Sequence, residues 1–408
     1  MNRMLLVPAM AWLLLTAGCS HDPVYPSIGS LYVSTDPTGA EILIDGRSQS
    51  RFSPAKIDGI TVGWHEVTLR YYRCREWRQR VEIKPGQTRN LIIKLAGISP
   101  STIQTLSLPY FGVDMAYEAG ARRIYIANKS SPNLVELVLG DSTITGINQL
   151  PVGSWQYLVA ASSRSDRIYA KINGDSLAVL ELSSGSLLKK IPPGRPLGVK
   201  ALAFSDDGQL VYVSNSTDSS ISCYQAGSDS LIGTISLTGS PGEVRVHPVS
   251  GDLYVLFDLE RRLARLSAIN GAVLASGTTG NDPWHLFWGP ANQTIGVCNA
   301  SDKTLTVMDV AGLGGAVSPV FSLCHQVADA AYSSAGTYLW VVMAYLGGDP
   351  PPPPSNLALI YIPTWQFVGY FPLGLVSVRM AQSPDGRFIY VLNSLSKNVT
   401  VLRTDLQE

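Results

Sequence analysis

The sequence predicts an all-β protein in which a small β domain precedes a ring of seven four-stranded sheets. Gly (37 residues) and Pro (26) are plentiful and charged residues make up only 15% of the 408 positions, as is typical of short strands joined by many turns. Brief apolar segments separated by turn signals begin at Gly29. From about residue 100 onward, one apolar–aromatic–apolar motif recurs at steps of 42 to 50 residues.

The first eighteen residues have the pattern of an export signal. Arg3 supplies a positive charge, Leu5–Leu15 is almost wholly apolar, and Thr16–Gly18 are small. Because Cys19 follows at once, this segment resembles the lipobox of bacterial lipoproteins, with Thr16 where Leu is commoner. The resemblance implies that residues 1–18 are removed and that Cys19 is acylated with diacylglycerol and at its new amino group. An ordinary signal peptide followed by a chance cysteine is the alternative.

Residues 19–28 form a short tether that contains proline, and a separate small domain follows at residues 29–96. Alternating apolar residues mark its strands, which are separated by turns such as Asp45-Gly46. The segment resembles the PEGA domain, a small all-β module of bacterial surface proteins. The resemblance implies a β-sandwich that serves as a spacer or adhesion module and not as an enzyme. The match is carried by Gly29, Val33, Ser34, Pro37, Gly39-Ala40, Ile42, Ile44-Asp45-Gly46, Ser53-Pro54, Gly63, His65 and Val67.

The larger repeat occupies residues 100–408 and contains seven units. Each unit has an apolar strand, the motif strand and two further strands, as expected for one blade of a seven-bladed β-propeller. The last unit ends soon after its third strand, so we expect Thr102–Pro109 to supply the fourth strand and to close the ring. The motif strands begin at Ile124, Ile168, Val211, Leu253, Ile295, Leu339 and Ile389.

This repeat resembles the YVTN family of seven-bladed β-propellers. Ser383–Asn393 and Ser205–Asn215 match best, whereas the second, fourth and sixth units lack the Asn that ends the motif. The family includes archaeal surface-layer proteins, and its fold is shared by lactonases and by copper or quinone enzymes. Since a fold does not decide a function, the function has to be argued from individual residues.

The charge balance and the cysteine content limit the classes of function that the chain can have. Lys and Arg together equal Asp and Glu at 31 each, so the chain lacks the basic excess that nucleic-acid binding requires. Beyond Cys19, four cysteines remain, and no two of them have metal-ligand spacing. Cys298 and Cys324 fall in one repeat unit, so a disulfide between them is one alternative and buried free thiols are the other.

The loops that enter the inner strands of the predicted ring supply the candidate ligand-binding residues. Propeller geometry brings these loops to one rim, where aromatic and hydrogen-bonding side chains suit recognition of a sugar or a peptide. Trp155 and Trp284 could instead pack between sheets. His285 and His325 could share a ligand or a metal on that face, or simply line a wet channel. The candidates are Asp114, Trp155, Gln156, Arg195, Glu243, Trp284, His285, His325 and Gln326.

These observations favour a lipid-anchored binding or scaffold protein of the cell envelope whose propeller face recognises a protein or polysaccharide partner. Ser20 after the acylated cysteine resembles the outer-membrane sorting pattern of Gram-negative bacteria. No two carboxylates stand out as an acid and base pair, so we assign no catalytic residue, cofactor or metal and expect no enzymatic activity. Two alternatives stay open: a lactonase-like hydrolase with its site at the channel mouth, and a mainly structural envelope component.

Overall fold

The computed structural model describes residues 27–71, 74, 76–97, 100–192, 198–314, 321–323, 325–344 and 356–404. The predicted signal peptide, Cys19, Arg195 and Cys324 lie outside these residues. The chain divides into two compact units, one of Met1–Tyr71 with Glu76–Leu95 and one of Tyr72–Arg75 with Ala96–Glu408. The described residues are all-β, with two short 3-10 turns at Asn173–Asp175 and Pro290–Asn292 and no α-helix. None of their helical segments has the length and apolar character needed to cross a membrane.

The first unit consists of two sheets. A three-stranded sheet has the order β4-β1-β7, with β1 and β7 parallel, and a four-stranded sheet has the order β3-β2-β5-β6. β1 buries every second side chain, among them Leu31 and Val33, because successive residues of a strand face opposite sides of a sheet. The strands are β1 (Ile28–Asp36), β2 (Glu41–Ile44), β3 (Arg47–Phe52), β4 (Ala55–Thr61), β5 (Gly63–Arg70), β6 (Trp77–Ile83) and β7 (Thr88–Lys94).

Among the described residues, the second unit forms seven antiparallel four-stranded sheets. The first sheet contains β9 (Gly112–Glu118), β10 (Arg123–Asn128), β11 (Asn133–Leu139) and β12 (Ile144–Pro151). The second contains β13 (Gln156–Ser162), β14 (Arg167–Ile172), β15 (Leu177–Glu181) and β16 (Leu187–Ile191). The third contains β17 (Val199–Phe204), β18 (Leu210–Asn215), β19 (Ser220–Gln225) and β20 (Ser230–Ser236). The fourth sheet contains β21 (Val244–Val246), β22 (Leu253–Phe257), β23 (Arg262–Leu266) and β24 (Val273–Thr278). The fifth contains β25 (Pro283–Trp288), β26 (Thr294–Asn299), β27 (Thr304–Asp309) and β28 (Phe321–Ser322). The sixth contains β29 (Gln326–Tyr332), β30 (Tyr338–Ala344), β31 (Asn356–Tyr361) and β32 (Gln366–Pro372).

The last of these sheets combines strands from both ends of the unit. It contains β33 (Ser377–Gln382), β34 (Phe388–Asn393) and β35 (Asn398–Arg403), and its fourth strand is β8 (Ser101–Ser107). β8 is antiparallel to β35, with Leu106 opposite Val399. The stretch expected to complete the last repeat, Thr102–Pro109, therefore overlaps β8.

The recurring sequence motif is the second strand of each sheet. These strands are apolar along their length because sheets pack against both of their faces, and in β10 every residue from Ile124 to Asn128 is buried. Where the motif ends in Asn, the buried amide donates hydrogen bonds across the following turn. Asn299 Nδ2 donates to the hydroxyl groups of Thr304 (3.1 Å) and Thr306 (2.9 Å). The Asn of the motif thus ties the second strand to the third.

Buried apolar clusters lie between consecutive sheets. One further cluster contains Ile124 and Leu137 of the first sheet together with Tyr390 and Val399 of the last. The sheets therefore pack face to face in sequence order, and the last also packs on the first, which is a propeller-like arrangement.

Gly296 offers a test of this packing. It lies opposite Phe287, and a methyl group at position 296 would overlap the Phe287 ring inside the core. We expect Gly296→Ala to lower the free energy of unfolding by about 1–3 kcal/mol, because a filled core accepts extra volume only by shifting. Gly233→Ala is the matched control, since a methyl group there meets nothing within 4 Å. Chemical denaturation should find the control unchanged or slightly stabilised, and equal stability of both variants would contradict the packing.

Candidate functional site

A cavity of about 730 Å³ lies at the centre of the second unit. Its walls come from the first strand of every sheet of that unit, namely β9, β13, β17, β21, β25, β29 and β33. Most of these first strands have the first strand of the next sheet as a neighbour, and β33 also neighbours β9. Since this is the place where all the sheets converge, it is the candidate functional site.

Each of the seven repeats places one residue at an equivalent position on this wall. In the sequence, this residue lies ten positions before the first residue of the motif, which is Ile124 in the first repeat. We call these seven the ring residues. In sequence order they are Asp114, Leu158, Ala201, Glu243, His285, Asp329 and Arg379, and all of them line the cavity. Five of them are charged or titratable. These five belong to the fourth, fifth, sixth, seventh and first sheets, which are consecutive because the last sheet packs on the first.

A β-bulge precedes the ring residue in six of the seven first strands. At each bulge one extra residue has no partner on the second strand, and such a residue can turn its side chain away from the regular alternation. The extra residues Tyr157, Lys200 and Trp284 all line the cavity. The bulges therefore add further side chains to the cavity wall next to the ring residues, aromatic or cationic in these three sheets and aliphatic at Val113.

Three ring carboxylates bind the backbone of the next first strand. Asp114 accepts a hydrogen bond from the N–H of Val159 (3.0 Å), and Asp329 accepts one from Met380 (2.8 Å). Glu243 likewise accepts one from the N–H of Leu286 at 2.9 Å. In each case the donor directly follows the ring residue of the next sheet. These bonds hold neighbouring sheets in a common register at the centre of the molecule.

The charged ring residues also neutralise one another. Arg379 Nε donates to Asp114 Oδ1 at 2.9 Å. His285 lies between two carboxylates, with Nε2 3.1 Å from Asp329 Oδ1 and Nδ1 2.9 Å from Glu243 Oε2, although the second contact does not have hydrogen-bond geometry. Arg245 Nε donates to Glu243 Oε1 at 2.9 Å. Since buried charges are stable only when paired, the network accounts for each of these groups.

The network shifts the pKa values of its members. Burial by itself would raise the pKa of Glu243, but His285 and Arg245 outweigh burial and lower this pKa to about 2. The pKa of Asp329 is lowered for the same reason, because His285 and Arg379 outweigh burial. Burial would lower the pKa of His285, whereas Asp329 and Glu243 raise it above its ordinary value of 6.5. The raised pKa extends the imidazolium form of His285 to higher pH, and Nε2 also lies 3.2 Å from Arg245 Nη2, a donor that would pair with the neutral ring.

The residues proposed from the sequence divide into three groups. Asp114, Glu243, Trp284 and His285 line the cavity. The other described candidates, Trp155, Gln156, His325 and Gln326, are not among its lining residues, so the structure brings His285 but not His325 to this site. Arg195 lies outside the described residues.

Gln156 and Trp155 illustrate why loop position alone was a poor guide. The Gln156 amide is fully buried, where it accepts from Asn128 and donates to the carbonyl oxygen atoms of Ser131 and Ser154. These bonds tie its strand to the preceding sheet. Trp155 is half exposed (51%) but lies away from the cavity wall. Trp284 has the same exposure (50%) and lines the cavity, with the Arg379 guanidinium 5.7 Å from its ring centre.

Neither the histidines nor the cysteines assemble into a metal site within the described part of the chain. No group of three or more His, Cys, Asp or Glu residues there has the arrangement needed to hold a metal ion. Cys298, opposite His285 in the sheet, is a buried free thiol, and burial raises its pKa well above the ordinary value. Its suggested disulfide partner, Cys324, lies outside the described residues.

Sequence reasoning missed Asp329, Arg379, Tyr157 and Lys200, which all line the cavity. The constant offset of ten residues from the motif would have found the first two, because it is visible without a structure. Tyr157 and Lys200 depend on bulges, which are a property of strand pairing, and the repeat pattern carries no signal for them.

Fold and site together define an all-β protein with a small β domain followed by a propeller-like unit that encloses a charged central cavity. Residues 28–98 match the family model of the PEGA domain. Among solved structures, the chain is similar to a chain of Kuenenia stuttgartiensis hydrazine synthase, at 18% identity with a TM-score of 0.60, covering 75% of this chain and 99% of that one. At this identity the similarity shows the propeller-like, β-rich fold alone. No curated protein sequence matches.

Replacing His285 with Gln should remove a pH-dependent part of the stability. Because the folded-state pKa of His285 is raised, its contribution is fully present below pH 6.5 and is lost as the pH rises through the raised pKa. We expect the free energy of unfolding to fall over that range in the unaltered protein and to fall less in His285→Gln. Denaturation at a series of pH values measures both.

His65 provides the internal control for this measurement. Its pKa is also raised, chiefly by a hydrogen bond with Asp45, and it is present in both proteins. The difference between the two pH profiles therefore isolates His285. Identical profiles would contradict a charged His285 between Glu243 and Asp329.

Proposed function

We propose that this protein is a lipid-anchored binding protein of the cell envelope, and that its seven sheets form one closed, seven-bladed β-propeller of the YVTN type whose cavity binds a ligand. The observation that supports binding is that the buried and the exposed residues of the cavity wall differ in kind. Its buried charges are paired with one another, whereas its more exposed lining residues are aromatic and cationic, as Trp284 and Lys200 are. Such convergent aromatic and polar groups suit recognition.

The same network argues against proton-transfer chemistry in the cavity. A general acid or base must exchange its proton with a substrate, so its polar atoms have to be accessible. Nδ1 of His285 lies beside Glu243, Nε2 lies beside Asp329 and Arg245, and the side chain is 8% exposed. Glu243 and Asp329 in turn accept backbone N–H groups as well as the imidazole contacts. These groups serve to hold the sheets together, which favours a binding or scaffold role over a lactonase-like hydrolase.

The anchor is the second part of the proposal. After removal of residues 1–18, acyl chains on Cys19 would hold the protein at the outer membrane, because more than one chain gives stable attachment. The PEGA domain lies between Cys19 and the propeller in the chain, as expected for a spacer. A protein or polysaccharide of the envelope is the partner class that this location offers.

Replacing Cys19 with Ser tests the anchor. We expect the unaltered protein to partition into detergent and membrane fractions and the Cys19→Ser protein to be soluble after export, because the acylated thiol is lost. Immunoblotting of fractionated cells measures the distribution, and Cys223→Ser serves as a control for loss of a cysteine elsewhere in the chain. Membrane attachment that survives Cys19→Ser would overturn this part of the proposal.

Trp284 and Trp155 form a matched pair for testing the binding site. Both are half exposed, but only Trp284 lines the cavity. Soluble glycan and peptide fragments from the envelope can be titrated into the purified protein and followed by calorimetry. We expect Trp284→Ala to weaken the binding of the cognate fragment about tenfold or more, as for a buried aromatic anchor, and Trp155→Ala to leave it unchanged. Circular dichroism checks that both variants fold, and equal losses in both would place the ligand elsewhere.

A further inference from the structure

We propose that the ligand of the cavity is an acidic saccharide, a carbohydrate that carries carboxylate groups, bound beside the second and third sheets. This inference rests on the proposed function and specifies the class of ligand. It follows from the unequal distribution of charge around the cavity, from two lysines that face it without an ion pair, and from an aromatic ring that lines the same cavity from the fifth sheet.

The ring residues leave one sector of the cavity without charge. Leu158 and Ala201 occupy the ring positions of the second and third sheets, whereas the other five positions hold Glu243, His285, Asp329, Arg379 and Asp114. Those five are paired with one another and with Arg245. A charged ligand would gain little from them and would find its partners in the uncharged sector.

Lysines surround that sector. The Nζ atoms of Lys129 and Lys171 lie 5.2 and 5.5 Å from the centre of the Tyr157 ring, within cation–π range. Lys171 is neutralised, because its Nζ lies 2.7 Å from Asp175. Lys129 and Lys200 are exposed, line the cavity, and have no ion-pair partner among the described residues. Two ammonium groups without an ion pair on a concave wall favour anionic ligands.

One carboxylate opposes this charge. Asp258 lines the cavity and interacts with Lys200. Burial, together with the nearby carboxylates of Glu243, Asp282 and Glu260, raises the pKa of Asp258 to about 6. Near and below that pH the carboxyl group is increasingly neutral and competes less for Lys200. The positive character of the lysine side of the cavity is therefore strongest below about pH 6, and above that pH the Asp258 carboxylate partly offsets Lys200.

The aromatic residue on the wall favours a sugar over a simple inorganic anion. Trp284 is half exposed, and the Arg379 guanidinium over its ring leaves part of the indole open to the cavity. A pyranose ring has an apolar face that can pack on an indole while its substituents hydrogen-bond or pair with charged groups. The cavity volume of about 730 Å³ is within the range of small-ligand sites and admits a short oligosaccharide.

Calorimetry on the full-length mature protein tests the proposal with three probes. Trigalacturonate carries the proposed chemistry, its methyl ester keeps the skeleton but removes the charge, and triglutamate carries the charge without the sugar. We expect binding of trigalacturonate that weakens as salt is added, and at least about tenfold weaker binding of the other two. Equal binding of the ester would rule out recognition of the carboxylates, and equal binding of triglutamate would rule out recognition of the sugar.

A pair of double variants locates the site. We expect Lys129→Gln/Lys200→Gln to weaken trigalacturonate binding about tenfold or more. Lys190→Gln/Lys303→Gln removes the same charge from exposed lysines that do not line the cavity, and should change the affinity less than about twofold. Because all four lysines are exposed, both variants should fold. Equal affinities for the two double variants would overturn the assigned site.

The outcomes also separate this inference from the proposed function. If trigalacturonate does not bind but a neutral saccharide or a peptide binds in a manner that depends on Trp284, the acidic-saccharide inference fails and the binding function stands. If none of the envelope fragments binds in a manner that depends on Trp284, both fail.

Discussion

A charge removed from water must be matched by an opposite charge or by hydrogen bonds, and the centre of this protein is organised by that requirement. Asp114, Glu243 and Asp329 each accept a backbone N–H from the adjacent sheet, and Arg379 and His285 provide positive charge between them. Removal of any one member would leave a buried partner with one compensating contact fewer. The sheets are therefore joined in two ways, by apolar clusters between their faces and by a charged network where they meet.

The same backbone feature serves two purposes around the cavity. Bulges before the ring residues recur in six first strands, but the extra residue differs from sheet to sheet. Where it is Ala328 it is buried, and where it is Tyr157, Lys200 or Trp284 it contributes to the cavity wall. A repeated architecture with variable side chains at one position can thus build a site that is charged and rigid on one side and open to ligand on the other.

Much of the secondary structure could be predicted because the signals were local. The motif that begins at Ile124 predicted a buried strand. The Asn at the end of the motif hydrogen-bonds across the following turn, as Asn299 does. The resemblance of residues 29–96 to the PEGA domain is supported by the family match at 28–98. In both regions, the strands were predicted from the alternation of apolar and polar residues and from the residue types found in the turns.

The site could be predicted only in part, because it depends on contacts between distant segments. Asp114 and Arg379 are 265 residues apart in the chain and form one ion pair. Choosing residues by their position in loops treated Trp155 and Trp284 alike, although pairing between strands brings only Trp284 to the cavity wall. Comparing equivalent positions across the repeats would have found the charged ring residues, whereas the bulged residues follow from three-dimensional register alone.

The sheet shared by β8 and β35 has a consequence for how the molecule is made. A ribosome releases β8 early, yet its hydrogen-bonding partner is the last strand that the structure describes. Until that partner emerges, both edges of β8 are unpaired, and the face of the first sheet that packs on the last sheet stays exposed to water. The contact between the first and last sheets can therefore form only after nearly all of the second unit has been synthesised. Under the export that we propose, such late assembly would keep the chain in a form that can be transported.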